Sequence, residues 1–153
     1  PAMCERMKEL ALLADVITPN LTEAAILLKE PYENTPKTEA GLRSWLERLS
    51  LEGKRSVILT GVHAGEDRVG AACLDRGTGE FSLLTAQEEP AQFPGTGDLF
   101  ASVALGALLR GKALEEAAAL AVEFVAHCAR HTLEVGTSIE QGVQFETLLG
   151  ELV

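Results

Sequence analysis

The chain has 153 residues, a length that suits one domain with a sizeable core of its own. Apolar residues make up 46% and charged residues 24%, ordinary for a soluble globular protein, and no apolar run is long enough to cross a membrane. A net charge of −10 argues against nucleic acid as a partner, because a phosphate backbone calls for a basic face.

Cys4, Cys73 and Cys128 are widely spaced and make no C-x-x-C pair. Neither zinc nor a disulfide framework is suggested, no signal peptide is visible, and a reduced, cytoplasmic setting is the expectation.

Met3, Met7, Leu10 and Ala14 recur at helical spacing, so a helix is predicted from about Ala2 to Leu13, with Pro1 acceptable in its first turn. Asp15-Val16-Ile17-Thr18 reads as a short buried strand that Pro19 ends, since proline cannot donate to a ladder. In Thr18-Pro19-Asn20-Leu21-Thr22-Glu23, Asn20 is a good N-cap and Glu23 stands three residues on, which is the spacing of a capping box. The helix it opens carries Leu21, Ala24, Ala25 and Leu28 and stops near Pro31. Thr38 can cap a further helix with Leu42, Trp45, Leu46 and Leu49 on one face, where Trp45 reads as core.

Ser56-Val57-Ile58-Leu59-Thr60 is a compact, β-branched run followed by Gly61, and reads as a central parallel strand. Open α/β sheets place ligands at the carboxyl ends of such strands. His63, in the loop beyond, is given no role. Val69 to Leu74 and Phe81 to Leu84 are strand-like runs around Asp75-Arg76-Gly77-Thr78-Gly79, a hairpin turn at the antiparallel edge of the sheet. Gln87 to Gln92 is an acidic loop.

Phe93-Pro94-Gly95-Thr96-Gly97-Asp98-Leu99-Phe100-Ala101-Ser102 is a tight glycine-bearing turn running straight into an apolar helix. The first N–H groups of a helix lack partners inside it, and together with the dipole they make a ready anion site. Asp98 puts a carboxylate at the same point. Two readings stand side by side: a residue that complements the helix dipole, or a base beside an anion cradle, as phosphoryl transfer to a hydroxyl would need. That helix is predicted from about Asp98 to Leu109, burying Leu99, Val103 and Leu108, with Gly111 as its stop. Leu114, Ala117, Ala118, Ala121, Phe124, Val125 and Cys128 mark another helix, roughly Leu114 to Arg130. Gly136 breaks the chain, Ser138 with Gln141 has capping-box spacing, and Phe145 to Leu152 reads as a short closing helix.

Gly95-Thr96-Gly97-Asp98 resembles the G-[AT]-G-D signature of the ribokinase-like kinases. Followed by Leu99-Phe100-Ala101-Ser102, it is most similar to the pyridoxal (pyridoxine) kinase branch. Sugar kinases more often have alanine in the second place, and hydroxymethylpyrimidine kinases usually have cysteine where Asp98 stands. Thr18-Pro19-Asn20-x-x-Glu23 resembles the T-P-N-x-x-E segment of the same branch, and Thr60-Gly61 its strand-end threonine and glycine. Other nucleotide and hydrolase signatures are missing: there is no G-x-x-x-x-G-K-[ST] and no G-x-S-x-G, and Phe100 stands where a dinucleotide fingerprint needs glycine or alanine.

The resemblance implies an α/β fold, a ribokinase-like three-layer α/β/α sandwich on a mainly parallel sheet. It implies ATP-dependent phosphorylation of the hydroxymethyl group of pyridoxal, pyridoxine or pyridoxamine, with another hydroxymethylpyrimidine or sugar kinase, or a noncatalytic nucleotide-binding fragment, as alternatives. Asp98 would be the base, and the amides of Gly95, Thr96 and Gly97 the anion hole. Thr60 and Gly61 would meet the β-phosphate, while Asn20 and Glu23 would help hold Mg²⁺ and the triphosphate, partly through water. A homodimer is implied for the full-length enzyme. The chain is expected to be a single domain over 1–153 lacking its N-terminal part, because the family's ring-binding residues and an aspartate-proline segment near the metal precede the equivalent of Pro1.

Overall fold

The computed structural model describes residues 2–152, with the side chains of Ala2, Cys4 and Glu5 left aside, so the expectations for Pro1 and Cys4 lie outside the described residues. The elements are α1 (Ala2–Ala11), β1 (Val16–Ile17), α2 (Leu21–Leu28), α3 (Glu39–Leu49), β2 (Ser56–His63), β3 (Arg68–Leu74), β4 (Phe81–Gln87), α4 (Thr96–Leu109) and α5 (Leu114–Val135). Three 3₁₀ segments lie at Tyr32–Asn34, Ile139–Gln141 and Glu146–Leu152.

The strands form one sheet in the order β1-β2-β3-β4. β1 and β2 are parallel, Val16 opposite Ser56 and Ile17 opposite Val57. The expected mainly parallel sheet is represented among the described strands by this pair. β2 passes to β3 through residues 64–67, with Ala64 N–H on the Arg68 carbonyl at 3.0 Å, and a link so short admits only an antiparallel hairpin. The β3–β4 turn forms as expected: Asp75 accepts from the Gly77 and Thr78 amides at 2.6 and 3.1 Å, which fixes the bend locally. Gly70 is required by close approach, since a Cβ there would overlap the Leu84 carbonyl and lie 2.7 Å from the Thr85 Cα.

The chain divides into two compact units. The first comprises the residues up to Val62 with Ala71–Leu83. Its core gathers Ile17, Ala24, Ala25, Leu42, Trp45, Leu46 and Leu49 with Val57, Leu59, Ala72 and Leu74. The alternating strand positions Val57 and Leu59 explain why one face of β2 joins this cluster. Trp45 is core, 6% exposed. Arg55 is buried among the ends of this unit's helices, its Nε–H donating to the Leu49 carbonyl at 2.7 Å and a terminal N–H to the Ala11 carbonyl.

The second unit comprises His63–Gly70 and the residues from Leu84 onward. Here α4 packs on α5. The buried face of α4 is Phe100, Val103, Ala104 and Ala107, so Leu99 and Leu108, expected inside, are half-buried. α5 continues past Arg130 to Val135 because Thr132, fully buried, extends its inward stripe by hydrogen-bonding the Cys128 carbonyl at 2.6 Å. Gly136 then closes it in the left-handed conformation. Ser138 makes no capping bond, which corrects the capping-box expectation for Ser138 and Gln141: the segment after it is a 3₁₀ turn of three residues. The closing helix is 3₁₀ as well.

Candidate active site

In the first unit, Asn20 and Glu23, just beyond β1, come together with Thr60 and Gly61, which lie inside β2 and not at its end as expected, because the strand runs on through Gly61 to His63, read as a loop residue. Asn20 continues the parallel register three residues beyond β1 as an isolated bridge to Thr60. The Pro19 carbonyl accepts from the Thr60 amide at 2.9 Å and from its hydroxyl at 3.4 Å. The chain then turns into α2, and Asn20 becomes its N-cap. The Asn20 side chain accepts from the Glu23 amide at 2.9 Å, and a Glu23 carboxylate oxygen accepts from the Asn20 amide at 3.0 Å. Both bonds of the capping box are therefore formed. Only one of the two Glu23 oxygens is used in it, and both side chains are exposed. Gly61 has φ 71°, a left-handed position that suits glycine.

Among the described residues no group of three His, Cys, Asp or Glu side chains comes together to hold a metal. Mg²⁺ keeps several of its waters and takes few protein oxygens. Asn20 and the second oxygen of Glu23 suit contact through such waters.

In the second unit, Phe93 is buried and the Thr96 hydroxyl donates to its carbonyl at 3.2 Å, closing the turn. Gly95 is the N-cap of α4 with φ 84° and ψ −4°, and no side chain caps the helix. α2 and α3 differ: Asn20 and Thr38 cap them. The first amide satisfied within α4 is that of Leu99, on the Gly95 carbonyl at 3.0 Å. The N–H groups of Thr96, Gly97 and Asp98 come before it and are left to the turn. Asp98 sits exposed in the first turn of α4, where the helix dipole favours a negative group or an anion.

Asp98, Pro94 and Gly95 line a cavity of about 570 Å³ that runs along α4. Leu99, Val103 and Ala107 form one apolar wall, and Val143, Phe145 and Leu149 from the segment after α5 form another. The involvement of residues 141–152 was absent from the sequence reading; Gly142, a second glycine soon after Gly136, was its signal. The acidic loop after β4 is held within the same unit: Glu88 pairs with His63 at 3.2 Å, and Glu89 with Arg130 at 3.1 Å. His63 thus has a loop-pinning partner.

Residues 1–143 match the family model for phosphomethylpyrimidine kinase. The chain belongs to the phosphomethylpyrimidine kinase family. Its members are phosphotransferases, and the fold is the ribokinase-like α/β fold that pyridoxal kinases share. A Bacteroides thetaiotaomicron protein assigned as a phosphomethylpyrimidine kinase, crystallised with pyridoxal, is 35% identical with a TM-score of 0.89, over 98% of this chain and 53% of that one. The pyridoxal kinase of Staphylococcus aureus in complex with AMP-PCP is 27% identical with a TM-score of 0.68, over 82% of this chain and 45% of that one. A hydroxymethylpyrimidine/phosphomethylpyrimidine kinase of Staphylococcus aureus is 27% identical over 124 residues, 81% of this chain and 44% of the relative. The chain thus spans about half the length of the relatives it matches.

Proposed function

We propose that this chain supplies the ATP-binding and base-bearing half of a kinase that phosphorylates a hydroxymethyl group on a pyridoxal-type ring. The observation that carries the reading is the uncapped start of α4: the amides of Thr96, Gly97 and Asp98 are left to the turn, with the Asp98 carboxylate beside them. Asp98 takes the proton of the acceptor hydroxyl as its oxygen bonds the γ-phosphorus. The bond from that phosphorus to the bridging oxygen breaks, and ADP leaves. The amides of Gly95, Thr96 and Gly97 hold the charge on the transferring group, and Thr60 and Gly61 meet the β-phosphate. Asn20 and Glu23 would hold magnesium, partly through water, and the ion would neutralise phosphate charge. Catalysis of this kind is mostly positioning and electrostatics.

Asp98 favours a pyridoxal-type acceptor over hydroxymethylpyrimidine, since the kinases of the latter usually carry cysteine there. The relatives include both activities, so the acceptor is an arm of the test. A cytoplasmic setting and a homodimer belong to the same proposal.

The test is calorimetric titration with Mg·ATP and a coupled ADP-release assay with pyridoxal or hydroxymethylpyrimidine. It compares the chain alone with the chain joined to the part of its relatives that it does not span. The chain alone is expected to bind Mg·ATP weakly without acceptor-dependent ADP release, because holding donor and acceptor in line is worth roughly 7–11 kcal/mol of barrier. The joined protein is expected to release ADP with pyridoxal. Absence of nucleotide binding in both forms would overturn the reading, and faster turnover of hydroxymethylpyrimidine would reassign the acceptor.

A further inference from the structure

Resting on the kinase reading, we infer that Gly142 is a positioning residue for the phosphate turn: it braces the Pro94 carbonyl and so sets the direction of the Gly95 amide. Gly142 has φ 77° and ψ −171°, a combination essentially confined to glycine. A Cβ built on it would lie 3.1 Å from the Pro94 carbonyl oxygen, closer than most real Cβ contacts. The backbone angle therefore demands glycine, and a side chain at this point would press on the Pro94 carbonyl by a few tenths of an ångström.

The brace is anchored. Next to Gly142, Val143 is buried. One residue further, the Gln144 amide donates to the Thr132 hydroxyl at 2.8 Å, and that hydroxyl donates to the Cys128 carbonyl at 2.6 Å. Thr132 is fully buried on α5, so the segment has little freedom to retreat. Of the two surfaces in contact, the turn must give way.

The link to anion binding is covalent. The Pro94 carbonyl and the Gly95 N–H belong to one peptide plane, which moves as a unit. An oxygen pushed by a few tenths of an ångström turns that N–H away from its direction in the cradle. Gly142 makes no contact with the phosphates in this account and acts through Pro94.

Gly136 provides a control for adding a Cβ at a positive-φ glycine. Its φ is positive too, 74°, but with ψ 26° it is left-handed helical, and a Cβ there meets nothing within 4 Å. Both substitutions put a Cβ on a positive-φ glycine, with the greater backbone strain at Gly142, and only Gly142→Ala presses on the turn; Thr132→Val, which leaves both glycines as they are, separates the strain from the pressure. The experiment uses the ¹⁵N-labelled chain, with amide resonances recorded for both variants and Mg·ATP and pyrophosphate titrated into each. Both variants are expected to melt earlier than the parent. Only Gly142→Ala is expected to move the Gly95, Thr96 and Gly97 resonances and to weaken both ligands, by roughly five- to tenfold. Deleting an oxyanion donor outright costs ~10²–10³-fold in rate, and a rotated donor loses less. Equal resonances and equal affinities in the two variants would overturn the inference.

If the parent chain binds neither ligand, the resonance comparison still decides the brace, and the kinase reading is decided separately by the joined protein. Thr132→Val is run alongside, and stands alone if Gly142→Ala does not fold. It removes the hydroxyl that anchors Gln144 and is expected to move the same three amides. Unmoved turn amides in folded Thr132→Val would overturn the brace.

Discussion

Asn20 and Glu23 each hold the other's backbone amide, at 2.9 and 3.0 Å, at the start of α2. This exchange separates two roles that the sequence leaves superimposed. Glu23→Gln keeps an acceptor oxygen for the Asn20 amide but removes the charge, so melting is expected to change little. In the assembled kinase, the Mg²⁺ concentration for half-maximal rate is expected to rise. Asn20→Ala removes the cap itself and should cost about 1 kcal/mol of stability. A Glu23→Gln variant that melts early yet needs no more Mg²⁺ would leave the pair with a capping role alone.

Arg55 contributes stability by another route. It is 4% exposed and donates to the carbonyls of Leu49 and Ala11, the last residues of α3 and α1. A cation at two helix C-termini complements both dipoles, although burial pulls the guanidinium pKa below its ordinary value. Arg55→Met leaves both carbonyls without their donor, a penalty of ~1–3 kcal/mol for each unsatisfied group. Relief of guanidinium desolvation offsets part of this, for a net loss of about 2 kcal/mol. In a chain of this size that is a Tm drop of ~4–8 °C. Arg55→Lys, with a single ammonium for two carbonyls, should fall between. An unchanged melting curve for Arg55→Met would show that water replaces the guanidinium.

The features legible in the sequence are the ones fixed by near neighbours. The caps of α2 and α3, the stop at Gly136 and the Asp75–Gly79 turn depend on residues within a few positions, and each stands close to where it was read. The apolar run Val57-Ile58-Leu59 identified β2 but not its antiparallel partner, because pairing is decided across the sheet. Thr132 was missed as part of α5 because a polar residue interrupts an apolar stripe; its hydroxyl is satisfied by partners four and twelve residues away. Gly70 and Gly142 answer to distant carbonyls, Leu84 and Pro94, that no local pattern announces. For the candidate site, the turn was legible and the segment packed behind it was not.

Cys128 should give the protein a measurable alkaline limit. It is fully buried, and burial pushes its thiol from 9.0 up to about 11, with the Glu151 and Glu146 carboxylates adding to the effect. Between those values the unfolded chain releases a proton that the folded chain retains. Stability from this group is therefore fully present below about pH 9 and lost as pH rises toward about 11. Urea melts at pH 8, 9 and 10 are expected to show a steeper decline for the parent than for Cys128→Ala, since other groups titrating there are common to both. Parallel declines would mean that the thiol is not held neutral by the fold.

Asp98→Asn tests the base directly. The substitution keeps size and hydrogen-bonding oxygen and removes the ability to accept a proton, while the Thr96 and Gly97 amides and the Gly95 turn are untouched. The carboxylate is exposed and accounts for no described fold contact, so melting should be unchanged. In the assembled kinase, kcat is expected to fall by ~10²–10⁴-fold, the usual contribution of a general base. Mg·ATP affinity should hold or rise slightly, because a negative charge has left an anion site. The two readings of Asp98 diverge here. A residue that only complements the α4 dipole would cost ~0.3–1 kcal/mol of stability on neutralisation and leave turnover near normal. A variant that melts earlier yet still phosphorylates at close to the parental rate would assign Asp98 to the helix and require another base.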